Sequence, residues 1–210
     1  MDSLRNFDRN DFEWDESDDL EIQCLTWNGD NAFIEQEDLS TSKKKQFNLE
    51  HIIKVYGVTK DGYSVSVRIL DFKPYFFIRV EDNMTIKEKN NILRVIKENM
   101  KEFLADGILS AEFVKSKEFY GFTNQKDFLF IKFTFRNTSS MKKCERLISD
   151  GLVINNNLKK YPLYESNILP FMRFLHEKNI NAAGWIRIKA YRYEISSIDD
   201  AKSTCQLDVT

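Results

Sequence analysis

Between Pro74 and Ile154 the spacing of apolar residues switches between a period of two and one of about 3.6 in a fixed order, and that order narrows the fold more than any other feature of the chain. Residues 75–80, Tyr-Phe-Phe-Ile-Arg-Val, read as a strand that starts just after Pro74, since proline has no N–H to give to a ladder. Thr85-Ile86-Lys87-Glu88 is a capping box, in which the Thr hydroxyl and the Glu carboxylate satisfy backbone donors reciprocally at a helix start. Ile92, Val95, Ile96, Met100, Phe103 and Leu104 then recur at helical spacing, with Gly107 expected as a left-handed cap. Residues 110–120 and 127–136 read as two strands. A second helix is predicted over 139–150, with Met141, Cys144, Leu147 and Ile148 inward and Gly151 closing it, before a short strand at Leu152-Val153-Ile154. The order βαββαβ is that of a ferredoxin-like, RNA-recognition-like sandwich, so the expected class is α+β with mixed or antiparallel strands and residues 75–155 as one unit.

The flanks supply further strands. Residues 22–29 form a strand pattern stopped by the turn signal Asn28-Gly29, and a polar connection ends in Lys43-Lys44-Lys45. Residues 51–58 and 63–70 read as a hairpin around Lys60-Asp61-Gly62, where Asp-Gly supplies positive φ angles. A third helix is expected from about Ser166 or Asn167, with Pro170 in its first turn and Ile168, Phe171, Met172 and Leu175 as its apolar face. Strand patterns return at 183–188 and 204–209, and a pattern that stops mid-strand is expected of a piece of something longer. The division is an acidic leader over 1–21 and a folded part over 22–210, in which 22–74 and 156–210 flank the 75–155 unit.

Chemistry is scarce. With 31 basic against 33 acidic residues, no net field of either sign holds nucleic acid or membrane by charge alone. Residues 1–21 carry nine acids against Arg5 and Arg9, which leaves the remainder at about +5 and reads as a solvated, mobile leader. Cys24, Cys144 and Cys205 stand singly, which argues against a disulfide framework and for a reducing compartment; with only His51 and His176 beside them, zinc ligands are few. No run approaches about 18 apolar residues, so the expectation is a soluble intracellular chain. There is no GxSxG, P-loop, HExxH or GxGxxG. The pairs Asp11/Glu13 and Asp19/Glu21 have a Mg²⁺-clamp spacing but read as leader acidity. His51, expected to open a strand, and His176, near a helix end, read as surface or capping residues, and Cys144 as a small hydrophobe.

Nucleic-acid features are more suggestive. Alternation over 127–136 puts Phe128, Phe130 and Lys132 on one face and Leu129, Ile131 and Phe133 on the other. The first set is either a base-stacking face, as on an RNA-recognition strand, or an ordinary buried aromatic strand; the glycine-bearing half of the usual signature is missing. Lys43, Lys44 and Lys45 are either phosphate contacts or a solvated loop.

Four stretches together resemble the N-terminal region of family B DNA polymerases, of the replicative delta type and its relatives in large DNA viruses. They are residues 63–67 leading into Phe72-Lys73-Pro74-Tyr75-Phe76-Phe77-Ile78; Tyr120-Gly121 with the strand at 128–132; Tyr164-Glu165-Ser166-Asn167 with the following helix; and Gly184-Trp185-Ile186 running on to Cys205-Gln206-Leu207. The resemblance implies an N-terminal domain whose catalytic motifs, and the Mg²⁺ they bind, belong to later parts of a parent polymerase with 3′–5′ exonuclease activity. No catalytic residue, metal site or cofactor is then expected within the chain itself. It also implies the parent's exonuclease and polymerase domains and weakly bound single-stranded template DNA as partners, with no membrane. Late strands are expected to rejoin the first strand in one sheet. Richness in Lys, Asn, Ile and Phe fits an AT-rich genome and a giant DNA virus as source, placing the protein in a host nucleus or viral factory. The alternatives are a free-standing RNA- or single-strand-binding module and a truncated viral assembly factor.

Overall fold

The computed structural model describes residues 19–36, 46–117 and 126–189. Lys43, Lys44, Lys45, Tyr120, Gly121, Cys205, Gln206 and Leu207, residues 1–18 of the leader and the strand expected at 204–209 lie outside the described residues.

In chain order the elements are β1 (Leu20–Gln36), β2 (Gln46–Thr59), β3 (Ser64–Ile69), β4 (Tyr75–Arg79), α1 (Ile86–Glu98), α2 (Glu102–Ala105), β5 (Ile108–Lys117), β6 (Asp127–Phe135), α3 (Thr138–Asp150), β7 (Leu152–Ile154), β8 (Asn157–Lys159), β9 (Leu163–Tyr164), α4 (Pro170–Glu177) and β10 (Trp185–Ile188). They build two antiparallel sheets, β10-β1-β2-β3 and β5-β6-β4-β9, plus a β7-β8 hairpin. Each sheet has its own core. In the second, Phe76, Ile78, Ile131, Phe133 and Phe135 pack against α1 and α3 through Ile92, Ile96, Met141, Cys144 and Ile148. In the first, Ile22, Cys24, Ile53, Val55 and Ile69 pack with Ile186, Ile188 and the α4 residues Phe174 and Leu175. The late strand does rejoin the first: Ile188 to Trp185 pair with Leu20 to Gln23. Leu20 and Glu21, grouped with the leader above, therefore belong to β1, where Glu21 pairs with Lys60 and Arg187.

Several local expectations change. Asn28-Gly29 does not stop the first strand; β1 runs through it, and Gly29 lies opposite Ile53 with the His51 ring against it, so that an added Cβ would come within 3.1 Å of the imidazole. His51 accordingly sits in mid-strand and is fully buried rather than at a strand's start on the surface. The Thr85/Glu88 capping box forms, but the helix stops at Glu98, where the Asn99 side chain donates to the Val95 carbonyl. Chain 102–105 restarts in a new phase, which turns Phe103 out to 65% exposure. Gly107 is not a left-handed cap; an added Cβ there would collide with Ser140 of α3, so the residue is small for close packing.

The fourth strand of the RNA-recognition-like unit also moves. Leu152–Ile154 does not join the sheet, because Asn155 and Asn156, both at positive φ (51° and 62°), turn the chain straight into β8. Leu152 and Ile154 still bury their side chains in the core. The sheet edge goes to β9, with Leu163 opposite Ile78 and Tyr164 opposite Phe77. The Tyr164-Glu165-Ser166-Asn167 stretch is thus strand and turn, not helix. The helix begins at Pro170, which needs no N–H at a first turn. Its buried residues are Pro170, Arg173, Phe174 and Leu175, while Ile168 and Met172 are exposed.

Polar contacts join the two sheets. The His51 backbone N–H donates to the Arg136 carbonyl at 2.8 Å, and Asn137 Nδ2 donates to the Leu49 carbonyl at 3.0 Å. Thr138 N–H and Oγ1 both donate to Asn31 Oδ1, at 3.1 and 3.0 Å. Buried Glu50 is flanked by Lys73 and, at 3.9 Å, Arg136. Among the described residues no helix is long and apolar enough to cross a membrane.

Candidate nucleic-acid interface

The second sheet buries one face under α1 and α3, and strand parity sends the alternate side chains to the other. The pairings Tyr75 with Thr134, Phe77 with Lys132 and Arg79 with Phe130 put two aromatic rings and an arginine of β4 beside Phe128, Phe130 and Lys132 of β6. Tyr164 adds a ring from the edge strand, edge-on to Phe130 with centroids 5.3 Å apart.

Cations lie over these rings at both ends. The Arg79 guanidinium is 4.5 Å from the Phe128 centroid and 5.7 Å from that of Phe130, and Lys126 is 5.2 Å from Phe128. Asp82 ties the two cations, 2.9 Å from Arg79 and 3.4 Å from Lys126. The Leu129 N–H donates to the Asp82 carboxylate, and that bond, followed by the two cations, holds its pKa below the usual carboxylate range. At the other end Lys132 and Arg173 stand 3.9 and 3.8 Å from the Tyr75 centroid. The Tyr75 hydroxyl donates to Glu177, and burial, then Glu177, raises the phenol's pKa.

Arg173 explains the Tyr-Glu-Ser-Asn turn. Glu165, at φ 60°, turns both its carbonyl and its carboxylate onto Arg173, each at 2.8 Å, and so locks the guanidinium against Tyr75. α4 thereby covers the Tyr75 end of the face.

Of the residues singled out in sequence, Phe128, Phe130, Lys132 and Tyr164 come together here. Phe130 is only 4% exposed, so its ring belongs to the packing. Phe128 and Lys132 are half-buried, and Lys132 is engaged with Tyr75. Asn167 is exposed in the turn, and Trp185 stands apart on β10, 52% exposed. Sequence reasoning missed Tyr75, Phe77, Arg79 and Arg173. The period of two in Tyr75-Phe76-Phe77-Ile78-Arg79 signals the first three; a buried arginine on an apolar helix face gives no such signal. Among the described residues no group of three or more His, Cys, Asp or Glu side chains is arranged to hold a metal ion.

Two antiparallel sheets, one an RNA-recognition-like unit with an aromatic and basic face, define an α+β module. No protein-family model matches the sequence. The chain is 32% identical over 207 residues to a DNA polymerase of Pyramimonas orientalis virus, a match covering 98% of this chain and 16% of that protein. It is 29% identical over 169 residues to the DNA polymerase delta catalytic subunit of Dictyostelium discoideum, covering 75% of this chain and 15% of that one. The family B DNA polymerase of Pyrobaculum calidifontis shares the fold, with a TM-score of 0.56 at 14% identity, over 90% of this chain and 20% of that structure. The chain is homologous to family B DNA polymerases, and its fold fits their N-terminal domain. It spans about one sixth of the length of the curated relatives it matches.

Proposed function

We propose that the chain serves as a noncatalytic N-terminal domain of a DNA-directed DNA polymerase, a scaffold that also touches the single-stranded template. The observation that carries this reading is the match of nearly the whole chain to one sixth of a viral DNA polymerase. Its partners are then the exonuclease and polymerase domains of a parent chain, and Mg²⁺-dependent chemistry resides in those domains. The template contact is assigned to the Phe128 end of the second sheet, where a half-buried ring lies beside Lys126 and Arg79. A ring supplies a stacking surface for any base, and cations meet phosphates without reading sequence.

Fluorescence anisotropy with a labelled oligo(dT) tests the assignment. The expected affinity is that of nonspecific contacts at physiological salt, on the order of 10⁻⁴ to 10⁻⁶ M. Phe128→Ala should weaken it by about 5- to 150-fold, the scale of one lost stacked base. A folded Phe128→Ala protein with unchanged affinity would remove the sheet face from the template path.

A further inference from the structure

A second site lies on the other sheet, at the outer edge of β10. A cleft of about 790 Å³ opens there between the chain that follows α4 and the β10-β1 edge. Its volume is within the range of small-ligand clefts, about 300 to 1,000 Å³. Strand parity turns Trp185 and Arg187 outward while Ile186 and Ile188 enter the core. The Trp185 indole is therefore 52% exposed in a cleft that also holds Lys60, Lys178 and Arg187 against one carboxylate, Glu21. Lys60 and Arg187 both pair with Glu21 and, in that order, hold its pKa low. No described residue takes the Lys178 ammonium in an ion pair, so the lining keeps an excess of two positive charges.

The walls are fixed before any ligand arrives. Trp27 Nε1 donates to the Ala182 carbonyl at 2.8 Å, and the Cys24 N–H donates to the Gly184 carbonyl at 2.9 Å. The Ile180 N–H closes the end of α4 onto the Leu175 carbonyl at 2.8 Å. A rigid frame thus presents an uncovered indole among cations. The exposed half of a large aromatic adds no burial to the fold, whereas a nucleobase stacked on it gains about 1 to 3 kcal/mol.

We propose that this cleft seats a nucleotide of single-stranded DNA, its base stacked on Trp185 and its phosphate held by Lys178, with Lys60 and Arg187 close by. The proposal rests on the reading that the chain engages single-stranded DNA, and it adds a second contact on the other lobe. An acidic peptide without an aromatic or proline side chain would satisfy the charges but leave the indole without a stacking partner.

The experiment uses the full chain and labelled oligo(dT), with circular dichroism to confirm folding of each variant. Trp185→Ala should weaken binding about 5- to 150-fold, and Trp185→Phe should restore most of it, because any aromatic face stacks. Lys178→Ala should reduce the slope of log K against log salt by about 0.7, one single-strand phosphate contact. If Trp185→Ala and Lys178→Ala both bind like wild type while Phe128→Ala binds worse, the cleft is not a site and the sheet-face reading survives. If Trp185→Ala weakens binding and Phe128→Ala does not, the cleft stands and the sheet face falls. Wild-type chain that binds no oligo(dT) overturns both. Poly-glutamate displacing the oligonucleotide as well as unlabelled oligo(dT) of equal charge would overturn the assignment to nucleic acid.

Discussion

His51 is a neutral imidazole held inside a β-strand, fully buried against Gly29, with neither ring nitrogen hydrogen-bonded to a described residue. Burial is the main reason its pKa falls to about 4, against a smaller opposing effect of nearby Asp30. The unfolded chain, with an ordinary histidine pKa near 6.5, then binds a proton that the folded chain refuses. The stabilising effect of the neutral ring is complete above about pH 6.5 and is lost as pH falls toward 4, a loss on the order of 3 kcal/mol. Urea denaturation at several pH values should show that decline, and His51→Leu should flatten it; an unchanged slope would mean other groups carry the acid sensitivity. Phe130→Ala should cost about 3 to 5 kcal/mol, as for other buried phenylalanines, whereas Phe128→Ala should cost about 1. Equal melting temperatures for the two variants would contradict the burial difference between neighbouring positions of one face. Parity assigned both rings to that face from the sequence. It did not show that Tyr164 stands edge-on to Phe130, since that ring comes from a strand whose pairing no local spacing reveals.

At the scale of elements, Asn137 does two jobs. Its Oδ1 accepts from the Ser140 N–H at 2.9 Å and caps α3, while its Nδ2 donates across to Leu49 of the first sheet. Asn137→Ala should cost about 2 kcal/mol, the cap at about 1 plus a carbonyl left unsatisfied. Asn137→Ser keeps a capping oxygen but has no amide to give to Leu49, so its denaturation midpoint should fall between the two; a midpoint equal to that of Asn137→Ala would mean that the cap adds nothing. Helices were legible to this degree because caps are local: Thr85 and Glu88 mark the start of α1 within four residues. Strand partners were legible where a tight turn joins them, as Asp61-Gly62 joins β2 to β3, and not where the pairing is distant. The swap of β7 for β9 depends on two asparagines adopting positive φ, and the continuation of β1 through Asn28-Gly29 shows only in its pairing with Lys54 and Ile53 of β2.

For the whole molecule, charge placement decides more than charge total. The chain sums to −2, yet its outer surfaces carry two separate basic and aromatic sites, Lys126 with Arg79 beside Phe128 and Lys60, Lys178 and Arg187 beside Trp185. The acidic pair Asp19 and Glu21 is drawn into ion pairs with Lys189, Lys60 and Arg187, which takes it away from the metal clamp its spacing allows. Purified chain given Mg²⁺ and a primed template should therefore neither extend nor degrade the primer; degradation that survives alanine at Asp11, Glu13, Asp19 and Glu21 would contradict this. Neither basic site was visible as a unit in the sequence, because Arg79 reaches Phe128 across the β4-β6 pairing and Lys60 and Lys178 reach the Trp185 cleft from the β2-β3 turn and the end of α4. Single-strand binding should carry their signature in its salt dependence. Each phosphate neutralised contributes about −0.7 to the slope of log K against log salt, and Asp82 and Glu21 each offset a cation. About two to four phosphates are then neutralised, for a slope of about −1.5 to −3, and affinity should drop by about 8- to 60-fold between about 50 and about 200 mM salt. A slope steeper than about −5 would require further cations, and a flat one would show that stacking alone holds the strand.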